Sequence, residues 1–223
     1  MYQELVLNND PKSIISETIR TLRTNLQFAS VDKKITTILI TSSVPGEGKS
    51  FIAANLACAF AQSGSRVLLV DCDIRKGRQH YIFNSHNKSG LSNLLLENVK
   101  EKYMDYIQET RIKNLSVMFR GVTPPNPSEL LGSSKNKELI EILRNEYDIV
   151  IFDSAPINGG LTDSIIMSTL VDGVVIVSSC KETPISLLNN TKKSLQNVNA
   201  NILGVVLNRA SSKSKKYYGH YYG

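Results

Sequence analysis

Ser43-Val44-Pro45-Gly46-Glu47-Gly48-Lys49-Ser50 follows the apolar run Ile35–Thr41 and leads into an alanine-rich stretch, Lys49–Ser63, that Gly64 ends. A strand, a glycine-rich turn and a helix in that order make a phosphate-binding loop. Glycines at 46 and 48 let backbone N–H groups close around phosphate oxygens, Lys49 can reach the β and γ phosphates, and the Ser50 hydroxyl can ligate Mg²⁺. The N-terminus of the helix adds its partial positive charge. The general pattern GxxxxGK[ST] has glycine where Ser43 stands, but the strand before and the helix after outweigh that departure.

Outward from this loop, the runs Val67–Asp71, Leu115–Phe119, Ile149–Asp153, Val174–Ser178 and Ile202–Leu207 read, with Ile35–Thr41, as buried strands, too continuously apolar to be half exposed. Helical patterns at Leu91–Glu97, Lys135–Asn145, Thr162–Leu170 and Thr183–Asn197 alternate with them. That alternation predicts an α/β fold of the P-loop NTPase kind, a mainly parallel sheet flanked by helices with ligands at the carboxyl ends of the strands. Ahead of it, Asp10 as N-cap and Pro11 at the first helical position predict a helix to about Ser30. Its stripe of Ile15, Ile19, Leu22 and Leu26 should pack on the domain, leaving Glu17, Arg20 and Arg23 facing outward.

The chain has 223 residues, 41% hydrophobic and 21% charged, which suits one domain over residues 1–210. Neither a membrane span nor a secretory leader is legible, so a cytoplasmic location is expected. Cys58, Cys72 and Cys180 are too few and too scattered for a disulfide framework or a zinc site, and read as reduced, mostly buried thiols. His80, His86 and His220 lack metal-ligand spacing and read as surface or loop residues. The net charge of +6 would normally suggest nucleic acid. Yet Arg209, Lys213, Lys215 and Lys216 carry most of it, so no nucleic-acid partner is expected. They belong to the end of the chain, where residues 211–223, SSKSKKYYGHYYG, read as a flexible tail. Tyr217, Tyr218, Tyr221 and Tyr222 crowd there, four of the nine tyrosines.

The second strand ends in Asp71-Cys72-Asp73-Ile74-Arg75 and the fourth in Asp153-Ser154-Ala155-Pro156, so three carboxylates meet the loop at one sheet edge. Each alone could be a turn residue. Together they are better explained by metal and nucleophile positioning, since Mg²⁺ favours a few carboxylates plus phosphate and water oxygens, and a carboxylate can take the proton of an attacking hydroxyl.

These three motifs resemble the bacterial tyrosine kinases, or BY-kinases, with their Walker A, A′ and B sequences. Gly121-Val122-Thr123-Pro124-Pro125-Asn126-Pro127-Ser128-Glu129-Leu130-Leu131 is similar to that family's GxxPPNPxELL segment, and Glu17, Arg20 and Arg23 fit its ExxRxxR oligomerisation motif. The resemblance implies an ATP-dependent protein-tyrosine kinase of the Gram-positive capsule and exopolysaccharide type that phosphorylates its own tyrosine cluster, Tyr217, Tyr218, Tyr221 and Tyr222, in trans. It implies ATP and Mg²⁺ as cofactors, with Pro45, Gly46, Glu47, Gly48, Lys49, Ser50, Phe51 and Asn208 around the nucleotide and Asn208 reading the adenine edge. Ser50, Asp71 and Asp153 would hold the metal. Lys49, Asp71, Asp73 and Asp153 would be catalytic, with the base left open between Asp71 and Asp73. A transmembrane polysaccharide co-polymerase would serve as adaptor, recruiting the chain to the inner face of the membrane and activating it through its cytoplasmic tail. A ring-like homo-oligomer and a cognate tyrosine phosphatase complete the implied partners.

The competing reading is a cycling ATPase of the MinD/ParA kind, which shares the fold but carries a second lysine early in the loop. That position is Val44 here, and no lysine lies between Thr36 and Glu47. An adaptor that has lost catalysis would lack a phosphate or metal group, and none is missing.

Overall fold

The computed structural model describes residues 4–29, 34–158, 160, 162–180 and 182–210. The tail tyrosines and His220 lie outside them. Seven strands form one sheet, β1 (Thr37–Ser42), β2 (Val67–Asp71), β3 (Gln108–Glu109), β4 (Leu115–Met118), β5 (Ile149–Asp153), β6 (Gly173–Ser179) and β7 (Ile202–Asn208). Their order is β3-β4-β2-β5-β1-β6-β7. All pairs are parallel except β3 with β4, a two-residue antiparallel edge that the sequence pattern did not announce.

Ten helices among the described residues flank this sheet: α1 (Val6–Asn9), α2 (Ile14–Phe28), α3 (Lys49–Gln62), α4 (Gln79–Ile82), α5 (Leu91–Leu94), α6 (Val99–Lys102), α7 (Pro127–Leu131), α8 (Ser134–Glu146), α9 (Asp163–Ser168) and α10 (Ile185–Asn197). A 3₁₀ turn at Tyr103–Tyr106 follows α6. Alternate strand residues feed two cores. Ile38, Ile40, Val67, Leu69, Ile151, Val175 and Val177 face α1, α2 and α3. Leu39, Leu68, Val70, Val150, Phe152, Val174 and Ile176 face α5, α8, α9 and α10. Period-two side chains with both sets buried are what a doubly covered parallel sheet requires. Helix α3 is buried on nearly every side, so its alanines let it pack between the sheet and α1–α2.

Several expectations change. Helix α2 starts later than Pro11, because Ser13 is the N-cap, accepting a hydrogen bond from the Ser16 N–H at 3.2 Å, while the Asp10 carbonyl accepts the Ser13 and Ser16 hydroxyls. Ile19 and Leu26 are buried and Leu22 packs on the core, but Ile15 stays 51% exposed. The strand β7 is half exposed, with Val205 46% and Leu207 62% accessible, because an edge strand has one neighbour and only one covered face. His80 is buried, its ring 4.0 Å from that of Tyr81 and edge-on to Phe119. Cys58 and Cys72 are buried and Cys180 half-buried, all three free. No helix among the described residues is long and apolar enough to cross a membrane.

A phosphate cradle with three buried carboxylates

The turn after β1 is braced before anything binds in it. Gly48 has φ +93°, the left-handed conformation glycine adopts without strain, and a side chain there would collide with Asn208. Ser43 needs no such freedom. It is fully buried and its hydroxyl accepts a hydrogen bond from Thr191 at 2.9 Å, so serine fits where the general pattern has glycine. The Glu47 carboxylate is also buried, accepting hydrogen bonds from the N–H of Val44 (2.8 Å), the N–H of Ser179 (3.0 Å) and the Thr183 hydroxyl. Its side chain therefore braces the loop against β6 and leaves only its backbone for a phosphate. From the end of β7, the Asn208 amide donates to the Glu47 carbonyl and the Arg209 guanidinium to the Gly46 carbonyl, both at 2.9 Å.

Pro45, Gly46, Gly48, Lys49, Ser50 and Phe51 line a cavity of about 500 Å³, together with Asp73, Arg75, Asn208 and Arg209. Of the carboxylates, Asp73 lines it, while Asp71 and Asp153 are buried close to Lys49. Asp71 and Asp153 are register partners on β2 and β5, both fully buried. Asp73 lies two residues on, its Oδ2 3.3 Å from Lys49 Nζ and its Oδ1 accepting the Lys76 N–H at 2.9 Å. Burial works against the charge on Lys49, but Asp153, Asp73 and Asp71 outweigh it and hold its pKa above the ordinary lysine value. Burial, and then the neighbouring Asp153, pushes the Asp71 carboxyl well up. Burial also raises Asp153, against the opposing pull of Lys49, Ser50 and Gln79. Between the aspartates, the Cys72 thiol donates to the Asp153 carbonyl. Burial, then Asp153, pushes that thiol well up, so it is no nucleophile.

Three carboxyl groups face one lysine, and Asp71 Oδ1 and Asp153 Oδ1 have no hydrogen-bond partner. These are the features of a divalent-cation site. Among the described residues no group of three or more His, Cys, Asp or Glu could hold a metal ion by itself. Mg²⁺ takes one or two carboxylates, so Asp71 and Asp153 could hold it only with a hydroxyl, phosphate and water completing the shell.

The sequence motifs meet in space more tightly than their spacing showed. Arg75 pairs with the buried Asp163 through two bonds, 2.7 and 3.2 Å, and Ser128 of the proline-rich segment donates to the same carboxylate at 2.6 Å. Residues that no motif marked also join the site. Gln79 donates its backbone N–H to Asp71 Oδ2 (3.0 Å) and its side-chain amide to Asp153 Oδ2 (2.8 Å) and the Ser50 carbonyl (3.1 Å). Arg209 closes the cavity's far side and pairs with Glu182 at 2.6 Å.

The outward triad of α2 is divided. Glu17 is exposed and pairs with the half-buried Arg20 at 2.5 Å. Arg23 is half-buried and turns inward, its guanidinium donating to the Ala59 carbonyl of α3 at 3.3 Å.

The profile of the AAA domain family matches residues 35–204. CapB of Staphylococcus aureus is 41% identical over 219 residues, 98% of this chain and 95% of that protein. The tyrosine-protein kinase YwqD of Bacillus subtilis is 40% identical over 221 residues, 99% of this chain and 92% of its own. Among solved structures, the chimerical protein CapA2B2 superposes with a TM-score of 0.88 at 43% identity, covering 94% of this chain and 91% of that one.

Proposed function

Since the chain belongs to the bacterial tyrosine kinase family, we propose that it is an ATP-dependent protein-tyrosine kinase that phosphorylates its own tail, Tyr217, Tyr218, Tyr221 and Tyr222, and regulates polysaccharide synthesis and export. The observation that carries this reading is the meeting of Asp71, Asp73 and Asp153 with Lys49 beside the loop's cavity, which Asp73 lines. A cycling ATPase would share such carboxylates but carry a second lysine early in the loop, where this chain has Val44.

Backbone N–H groups of Gly46, Glu47, Gly48 and Lys49 cradle the triphosphate, and Lys49 leaves Asp73 to face the β and γ phosphates. Ser50, Asp71 and Asp153 would hold Mg²⁺, which would supply charge stabilisation to the phosphate oxygens. Lys49, on moving, frees Asp73 Oδ2. Of the three carboxylates, only Asp73 lines the cavity, so it is the one a tyrosine hydroxyl reaches and the one that takes its proton. Asn208 has one amide N–H committed to Glu47 and keeps a second for the adenine edge.

Phosphotransfer runs between copies: a ring-like oligomer presents one copy's tail to its neighbour, a transmembrane adaptor recruits and activates the chain at the inner face of the membrane, and a cognate phosphatase resets it. The test is to incubate the purified chain with ATP, Mg²⁺ and a peptide of the adaptor's cytoplasmic tail, then map phosphotyrosine by mass spectrometry. Label on the tail tyrosines is expected; ATP hydrolysis with no phosphotyrosine would return the reading to a cycling ATPase.

A further inference from the structure

Gln79 is completely buried, yet it is a polar residue with no place in any motif. It sits eight residues beyond Asp71, at the first position of α4, after a loop that passes over the Asp71 carboxylate. That loop approaches so closely at Gly77 that a Cβ there would strike Asp71. Through its three hydrogen bonds Gln79 touches each part of the presumed metal shell: Asp71 by its backbone, Asp153 by its amide, and the backbone of Ser50 by the same amide. Both partners of Nε2 are acceptors, which fixes which end of the amide is nitrogen. The other end, Oε1, is a buried acceptor with no partner, the third orphan oxygen of this cluster after Asp71 Oδ1 and Asp153 Oδ1.

An ordinary core glutamine would have both ends satisfied, because a bare buried acceptor is unfavourable. A neutral amide also does what a charged residue here could not. It fixes the Asp153 carboxylate without neutralising it, so the negative charge stays available to a cation. Hydrated Mg²⁺ keeps several waters, and their protons need acceptors close by.

We infer that Gln79 is a positioning residue of the metal site: its amide fixes Asp153 against Asp71 and Ser50, and its free Oε1 accepts a hydrogen bond from the hydration shell of bound Mg²⁺. This rests on the nucleotide and Mg²⁺ reading above. No contact with nucleotide or with the tyrosine hydroxyl is implied.

The test loads the full chain with a fluorescent ADP analogue in EDTA and then titrates Mg²⁺, for the unaltered protein and for Gln79→Met, which keeps the volume and removes the amide. In the unaltered chain the bound analogue should respond saturably to Mg²⁺. In Gln79→Met the half-saturating Mg²⁺ concentration should rise on the order of tenfold or more. Affinity for the analogue in EDTA should change far less, because the Gln79 amide bonds the Ser50 carbonyl and not the N–H groups of Gly46–Lys49 that face the phosphates. A purely structural glutamine would lower the melting temperature and leave the half-saturation point where it was, and that result overturns the inference. No Mg²⁺ response in the unaltered chain would instead overturn the metal reading of the site, a separable failure. Should Gln79→Met not fold, the side-chain amide resonance of Gln79 in the unaltered ADP-bound protein decides by NMR. It should shift when Mg²⁺ is added, and an unmoved resonance overturns the inference.

Discussion

Aspartates stand at both edges of this sheet, and the fold treats the two sets in opposite ways. At the carboxyl edge, Asp71 and Asp153 are packed side by side with oxygens left bare, and burial pushes both carboxyls up. At the amino edge, Asp172 precedes β6 and accepts the N–H groups of Thr36 (3.0 Å) and Thr37 (2.9 Å) and the Thr37 hydroxyl (2.9 Å). Arg144 lies 3.2 Å from its other oxygen. Burial would raise Asp172 too, but those hydrogen bonds and Arg144 win and hold it below the usual carboxylate range. The difference separates a carboxylate that holds the fold from carboxylates that await a ligand: the first is saturated, the second are kept unsatisfied at a cost in stability.

Lys49→Met should make the largest difference, since it removes the ammonium that pairs with Asp73 and the cation that would face the transferring phosphoryl group. Autophosphorylation should fall about a hundredfold or more with the melting temperature little changed. Near-normal phosphotyrosine in that variant would break the assignment of the carboxyl edge as the functional one.

Asp172→Asn should do the reverse. It should lower unfolding free energy by about 1.5–3 kcal/mol, the scale of hydrogen bonds to a charged group, while activity per folded molecule is retained. The pH dependence has a definite sign. A carboxyl whose folded pKa is depressed contributes stability that is present above its unfolded pKa, about 4, and is lost as pH falls through the lower folded value. Denaturant titrations from pH 6 to pH 2 should show a shallower acid loss in Asp172→Asn than in the unaltered chain. Parallel curves would mean that the amino-edge aspartate is not the stabilising one.

Asp71→Asn sharpens the contrast with a smaller and opposite effect. In EDTA it should raise the melting temperature by about 2–4 °C, roughly 1 kcal/mol for a chain of this length, because a buried charge with a bare oxygen is removed. Phosphotransfer should be lost. A fall in melting temperature would show that Asp71 supports the fold as Asp172 does.

The smallest effect is expected at the exposed charges of α2. Arg20→Ala should cost the fold less than about 1 kcal/mol, as exposed pairs do. If Arg20 meets a neighbouring copy, light scattering should nevertheless report a reduced mass. Arg23→Ala, which removes the contact with Ala59, should lower the melting temperature more than Arg20→Ala does. Equal stabilities with equal masses would remove α2 from any account of assembly.

The sequence by itself determined the layering and the site's first members. Continuously apolar runs alternating with helical patterns admit little else than a covered parallel sheet, and a glycine-lysine-serine turn between strand and helix states its own chemistry. Asp71, Asp73 and Asp153 were legible because Asp71 and Asp153 end strands and Asp73 lies two residues past one, and parallel strands bring their carboxyl ends to one edge. Strand order was not legible, and it made β7 a half-exposed edge although its residues are as apolar as those of β6. Nor were the polar contacts. Gln79, Glu47, Arg209 and Arg23 look like ordinary residues of loops, turns and a helix face. Their side-chain hydrogen bonds join positions 27 to 163 residues apart except where Glu47 braces Val44 within its own loop and Gln79 closes back on Asp71. Short-range pattern reports which face of an element is apolar. Which buried polar atom finds a partner, and which is left bare for a ligand, depends on distances that exist only after the sheet has assembled.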